Sequence, residues 1–487
     1  MTTRLALAQT RNHIKFWEKQ RPINIPAASD TYKRNMSGSS DVFADNLASY
    51  TLAARKALKE PGAEGRLITA GLEKVLYPWF MFPVEKEEIE EAEEFFLNKA
   101  SVRKFPSNAW KKVLDNDGFL PLDVYGLPGG QTFLVKDGKY VPTMSIEGPG
   151  ALASHVEPQF LTSFKHIIYA TKARLMKEST GEDFAEFGLR ADDSINDHAM
   201  LMLSLYVGGK LKYTSDDQAV FLFPELFKDI GTVGHELAQT YQKKGRTLEE
   251  AQRLAYMDFL EKNDTAALLP DIVNTRASGF PLIKTLAEMF PEKNIFPRLD
   301  SEDVPEQCVD WAKFRNGDMK SNRIVVEDGY NPEKARETKS LYAAAGANPK
   351  DIFTGAGGYF QEGNTRDAIS MAYKRGATLY GDVWEDQIKF SDTKAKNSIP
   401  GRPRVWEQGR TLIVAQAGEK IDGTMLTQKL VENGGIKYRE TLDAQADRAD
   451  ATWNKYNSIE YSPMTLAIMD ERQKEKDSIL ERLGVKK

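Results

Sequence analysis

Apolar and polar positions follow a recurring order along this chain: a short apolar run stops at charged or glycine residues, and helical spacing follows. Ile295-Phe296-Pro297 runs into Arg298-Leu299-Asp300-Ser301-Glu302-Asp303, after which Val304, Cys308, Trp311 and Phe314 recur at three- and four-residue steps. Arg323-Ile324-Val325-Val326 runs into Glu327-Asp328-Gly329, and Asp351-Ile352-Phe353 into Thr354-Gly355-Ala356-Gly357-Gly358. Charges in such runs cannot be hidden in a core. They belong at the carboxyl ends of strands in β/α units, where they face a ligand. Three successive strand ends thus offer an Arg with carboxylates, a carboxylate pair and a glycine loop.

Elsewhere the pattern changes. Residues 84–98 carry Ile89, Ala92 and Phe96 on one face of a helix whose acidic side is solvated. Residues 119–145 alternate or cluster apolar positions between Gly-Leu-Pro-Gly-Gly and Lys-Asp-Gly turns, which predicts antiparallel hairpins. Thr247-Leu248-Glu249-Glu250 is a capping box for a helix to Lys262. Asn331-Pro332 opens another helix, carrying Ala335, Thr338 and Tyr342 and closed by Gly346. Strand and helix in succession after a mixed front segment predict an α/β protein, a β/α barrel beside an α+β domain.

With 487 residues, two domains are expected. A net charge of −5, from 66 basic and 71 acidic residues, gives no electrostatic basis for binding nucleic acid. Cys308 is the only cysteine, so no intramolecular disulfide forms and a reducing compartment fits best. Met1–Gln9 holds too few apolar residues for a signal peptide, and no window approaches a membrane span. A soluble cytoplasmic protein is expected.

The candidate chemistry is distributed. Gly357 and Gly358 would let backbone N–H groups approach a phosphate, and Arg366 and Lys374, at turn spacing in a following helical segment, would add charge. Gly231-Thr232-Val233-Gly234-His235-Glu236 places one of five histidines after a small-residue loop. Gln239 stands where a zinc-protease motif needs its second histidine, so no metal ligand is assigned there. Phe187-Gly188-Leu189-Arg190-Ala191-Asp192-Asp193 ends another strand in Arg, while Asp30-Thr31-Tyr32-Lys33 and Thr214-Ser215-Asp216-Asp217 read as helix caps or turns.

Taken in order, these pieces resemble the nicotinate/nicotinamide phosphoribosyltransferase family. Asp30-Thr31-Tyr32-Lys33 resembles its Asp-Ser-Tyr-Lys, Ala70-Gly71-Leu72-Glu73 its Gly-Leu-Gln helix, and Leu120-Pro121-Leu122-Asp123 through Gly129 its Leu-Pro-Ile-Glu hairpin. Phe187-Gly188-Leu189-Arg190 is similar to Phe-Gly-x-Arg, Thr214-Ser215-Asp216 to Thr-Ser-Asn, and Gly231 through Glu236 to Gly-Thr-x-Ala-His-Glu. Arg298 through Asp303 resembles Arg-x-Asp-Ser-Gly-Asp, and Gly357-Gly358 through Thr365-Arg366-Asp367 resembles Gly-Gly-x-x-x-Gln-x-x-Thr-Arg-Asp.

The resemblance implies an irregular, TIM-like β/α barrel over residues 151–395. It also implies an α/β-sandwich domain from residues 1–150 completed by 396–487, and a homodimer with shared sites. It implies transfer of a phosphoribosyl group from phosphoribosyl pyrophosphate (PRPP) to nicotinate, with Mg²⁺ as cofactor and with ATP coupled in some members. In the roles it carries over, Tyr32 of a second subunit and Phe187 sandwich the pyridine ring, and Ser215 and Asp216 lie beside its substituent. Arg190 and Arg298 bind phosphate oxygens and Asp300 the ribose hydroxyls. Ser301 and Asp328 contact substrate, Gly357, Gly358, Arg366 and Lys374 hold the 5′-phosphate, and His235 is the histidine that ATP phosphorylates.

Two departures stand out. Glu302 occupies the family's glycine position, and Asp216 replaces Asn. Thr214-Ser215 and His235-Glu236 resemble the nicotinate enzymes; the nicotinamide enzymes have Asp beside that Thr, and Asp216, the chain length, the N-terminal motif and Thr365-Arg366-Asp367 make nicotinamide the alternative substrate. Glu302 is the feature that would suit a third reading, a catalytically idle scaffold.

Overall fold

The computed structural model describes residues 11–181, 184–192, 194–231, 233–315, 321–391 and 397–484. The opening nine residues, Asp193 and Thr232 lie outside them. The chain forms two compact units, one of residues 1–171 with 363–487, the other of residues 172–362. The expected boundaries were 150 and 395.

The first unit is mixed α/β. Its seven-stranded antiparallel sheet takes strands from both ends of the chain. Ala372–Tyr380 pairs along Leu47–Ala53, which pairs on its other edge with Pro142–Pro149. Gln428–Glu432 pairs with Asp123–Gly126. Tyr50 and Tyr373 stack with ring centroids 5.0 Å apart across the first pair. The two glycines of Leu-Pro-Gly-Gly are explained by the carboxyl-terminal helix Leu442–Thr452. A Cβ on Gly129 would meet Gln445 Oε1 at 2.0 Å, and one on Gly130 its carbonyl at 1.8 Å. That loop crosses between sheets rather than closing a hairpin: Asp123–Gly126 belongs to the large sheet, and Thr132–Lys136 pairs with Arg66–Ile68. The Lys-Asp-Gly turn does close a hairpin, between Thr132–Lys136 and Lys139–Tyr140.

The second unit holds a curled, seven-stranded parallel sheet: β1 Phe184–Glu186, β2 Tyr213–Thr214, β3 Lys228–Asp229, β4 Thr265–Leu268, β5 Asn294–Leu299, β6 Ile324–Val326 and β7 Ile352–Ala356. Its spatial order is β4-β5-β6-β7-β1-β2-β3, so the last strand pairs with the first and the seam falls between β3 and β4. Ala267, Phe296 and Val325 form a buried cluster on one face, with Phe353 packed against it. The helices between strands match their sequence signals. The Thr247/Glu250 capping box forms, and Asn331 caps Pro332–Ala344 through the amides of Glu333 and Lys334. Cys308 and Trp311 are fully buried on Val304–Arg315. No described helix is long and apolar enough to cross a membrane.

Candidate active site

In a parallel sheet every strand delivers its following loop to the same edge, so the charged residues predicted at strand ends converge. Phe187 follows β1 and anchors to β7 through its N–H, which donates to the Ala356 carbonyl at 2.9 Å. Beneath its ring lies Gly355, where a Cβ would come within 2.5 Å of Phe187 Cε2 and 2.7 Å of Glu327 Cγ. Only a residue without a side chain lets the ring lie there. The adjoining Gly188 N–H donates to Glu186 Oε1, and Gln361 Nε2 donates to the Gly188 carbonyl at 3.1 Å. Phe187 also lines a cavity of about 190 Å³ with Tyr213, Phe296, Val325 and Phe353, to which Arg323 and Lys350 contribute from the strand amino ends. Arg190 is exposed just beyond, Gly358 is exposed and Gly357 half-buried.

Arg298, at the end of β5, is held from three sides. Its guanidinium donates to the Val233 carbonyl at 3.1 Å and lies 3.3 Å from Glu327 Oε1 and 3.6 Å from Asp300 Oδ2. Burial pushes the Glu327 carboxyl up to about 6, against the pull of Arg298. Asp300 is raised as well, by burial first and then by Asp271, and its buried Oδ1 makes no hydrogen bond. Asp271 joins two further groups: His235 Nε2 lies 2.9 Å from its Oδ1, and Ser301 Oγ donates to its Oδ2 at 3.0 Å. Gln252 and Tyr256 donate to the Leu269 carbonyl at 3.1 and 2.7 Å and so fix the loop that carries Asp271. His235, Asp271 and Asp300 bring one ligand atom each within 4.8 Å of one another. This cluster comes from three different strand ends, not from the local His-Glu motif that sequence reading had set aside. Asp328 is exposed in the left-handed region with φ 68°. Glu302 sits there too, with φ 60°, and its side chain lies 3.8 Å from Arg276.

Ser215 and Asp216 differ sharply. Ser215 is exposed, and its N–H donates to the Glu186 carbonyl at 3.2 Å. Asp216 is buried and committed: Oδ1 accepts from the amides of Gln218 and Ala219, capping helix Asp217–Leu222, and Oδ2 lies 2.7 Å from His198 Nδ1.

The remaining expected residues lie in the first unit. Tyr32 is exposed on helix Thr31–Ser37, beside the buried Lys33, which pairs with Glu157. Arg366 and Lys374 do not share a helix as expected. Thr365 caps a single 3₁₀ turn at Arg366–Ala368, and Lys374 lies in strand Ala372–Tyr380, where pairing with Leu47–Ala53 overrides the helical spacing. Arg366 is exposed and touches Asp367 at 3.1 Å. Lys374 is lowered by burial and by neighbouring cations Lys33, Arg55 and Lys389, with Glu157 opposing.

Sequence reading missed Asp271, although Leu268-Leu269-Pro270-Asp271 repeats the run-into-charge pattern. It named Glu327 only as part of a strand end. Glu186 and His198 gave no separate signal, because a carboxylate inside a three-residue strand and a histidine in an apolar helix look structural.

No family model matches this sequence, and no curated protein matches it in sequence. The fold, however, is shared with solved structures. Human nicotinic acid phosphoribosyltransferase superposes with a TM-score of 0.68 over 91% of this chain and 99% of its own, at 15% identity. Nicotinate-nucleotide pyrophosphorylase from Pyrococcus furiosus gives 0.62 over 92% and 97%, at 17% identity. The expected family resemblance is thus met in the fold.

Proposed function

We propose that this chain is a pyridine phosphoribosyltransferase of NAD metabolism, with an irregular β/α barrel as its catalytic unit, joining nicotinate to PRPP and releasing pyrophosphate. The observation that carries the reading is the convergence at neighbouring strand ends of one flat aromatic face, Phe187, with a cation, Arg298, and the carboxylates Asp300 and Glu327. Attack of the pyridine nitrogen on the anomeric carbon expels pyrophosphate through an oxocarbenium-like state. Such a reaction needs a ring clamp, cations on the leaving group and carboxylates near the developing positive charge, and no protein nucleophile.

In this reading Phe187 carries one face of the ring, and Tyr32 of a second copy the other, which makes the working unit a homodimer. Arg298 and Arg190 meet phosphate oxygens, and Asp300 accepts from the ribose hydroxyls. Gly357 and Gly358 offer backbone N–H groups to the phosphate, a role that the resemblance gives to Arg366 and Lys374 as well. Mg²⁺, the expected cofactor, neutralises pyrophosphate when bound. Asp271 and the unpaired Asp300 Oδ1 are the oxygen donors that fit it, more than the imidazole beside them. Asp271 would keep the proton on His235 Nε2, leaving Nδ1 to accept a phosphoryl group from ATP where ATP is used.

Nicotinate is favoured over nicotinamide because the Asp216 carboxylate is tied to a helix cap and His198, which leaves the neutral Ser215 as the exposed group. Glu302 supports the alternative of an idle scaffold only at its backbone, since its side chain turns to Arg276. Incubating the protein with PRPP, Mg²⁺ and each pyridine, with and without ATP, and measuring pyrophosphate tests the proposal. Release with neither pyridine would refute it.

A further inference from the structure

The second unit also encloses a charge cluster that the ring clamp and phosphate site do not use. His198, on helix Ile195–Gly209, has a side chain 1% exposed. Its Nδ1 lies 2.7 Å from Asp216 Oδ2, and its Nε2 lies 3.1 Å from Glu186 Oε1 and 3.6 Å from Asp192 Oδ2. Glu186 and Asp216 are themselves buried, at 0% and 1% side-chain exposure. Buried carboxylates stay ionised only beside a cation or strong donors, and the imidazole is placed between them as that cation. Burial opposes its charge, but the hydrogen bond with Asp216 and the negative charges of Glu186 and Asp216 push it up to about 10.

Each carboxylate has a second task. Glu186 Oε1 accepts from Gly188 N–H, which shapes the turn carrying Phe187, and its Oε2 accepts from Thr214 Oγ1 at 3.2 Å. Asp216 takes its own amide bond to Thr214 Oγ1 at 3.0 Å and caps the following helix. His198 therefore ties the exit of β1 to the exit of β2. Phe187 and Ser215 are the residues that project from those two exits.

We infer that His198 is a positioning residue that, as an imidazolium, fixes Phe187 against Ser215 and thereby sets the affinity of the site for its pyridine substrate. The inference rests on the proposed transferase activity. Without the cation, the buried Glu186 and Asp216 lose the charge that balances them, and the two exits lose their common anchor. His198→Gln keeps a polar group but no charge. It should raise the apparent KM for the pyridine about tenfold or more, leave that for PRPP within about twofold, and change kcat less than KM. Adding Asp216→Asn removes the charge left unbalanced while keeping a helix-capping side chain, and should recover most of the lost affinity.

A second measurement needs no variant: ¹⁵N spectra of the wild-type histidines should show one of the five imidazoles still cationic at pH 8. A folded His198→Gln protein with an unchanged pyridine KM, an equal loss for both substrates, or five neutral imidazoles at pH 8 would overturn the inference. An inactive wild type that retains one cationic imidazole would instead count against the transferase reading and leave the buried charge standing.

Discussion

Glu327 offers the sharpest test of the electrostatics around Arg298. Raising its carboxyl from an ordinary 4.5 to about 6 costs the ionised form about 2 kcal/mol in the folded protein. The sign follows from the direction. A carboxyl with a raised value favours its protonated form on folding, so this contribution is present below about pH 4.5 and is lost as pH rises through about 6. At pH 8 Glu327 is an anion 3.3 Å from Arg298, competing with any phosphate for the same guanidinium. A phosphate on the other edge of Arg298 would sit roughly 6 Å from Glu327, where one pair of unit charges repels by roughly 3 kcal/mol at an effective dielectric of ~20. Solvent at the mouth lowers this to about 1–2 kcal/mol. Glu327→Gln should therefore bind pyrophosphate about five- to thirtyfold more tightly than wild type at pH 8, and within about twofold of it at pH 5. Titration calorimetry without Mg²⁺ at both values measures the ratio, in which the titration of pyrophosphate itself cancels. A ratio that does not change with pH would refute the coupling of Glu327 to Arg298, and weaker binding by the variant would show that Glu327 supports the anion.

Four further outcomes are expected. Arg366→Ala, removing one charge-assisted phosphate contact of roughly 1.5–3 kcal/mol, should raise the apparent KM for PRPP about ten- to a hundredfold with that for the pyridine nearly unchanged; an equal rise for both would return Arg366 to a structural role. Mixing inactive Tyr32→Ala and Arg298→Ala chains should restore part of the activity through hybrid dimers, and no recovery despite subunit exchange would refute sharing. Ser215→Asp should shift the ratio of kcat/KM values from nicotinate toward nicotinamide; an unchanged ratio would show that this turn does not choose the substituent. Glu302→Gly should raise Tm, because a left-handed backbone costs a non-glycine residue roughly 1 kcal/mol; a lower Tm would mean that the contact with Arg276 outweighs the strain.

What the sequence alone determined was local. The β5 and β6 runs that end in Arg298 and Glu327 were legible because a strand seldom buries such charges, and the β7 run because a glycine cluster closes it. The Thr247 and Asn331 caps were legible because capping depends on neighbours three residues away. The ordered motifs also carried the family's fold, which the solved structures share. Tertiary structure decided what each charge touches. Asp216 is the helix cap that its local sequence indicates, but only the fold makes it the partner of His198, where the resemblance had set it beside the substrate. Lys374 went into a strand because Leu47–Ala53, more than 300 residues earlier, offers an edge to pair with. Asp271 reached His235 and Ser301, and His198 reached Glu186, across 36, 30 and 12 residues of chain. Such contacts leave no periodic trace in the sequence, because they depend on which strand ends the curled sheet brings side by side.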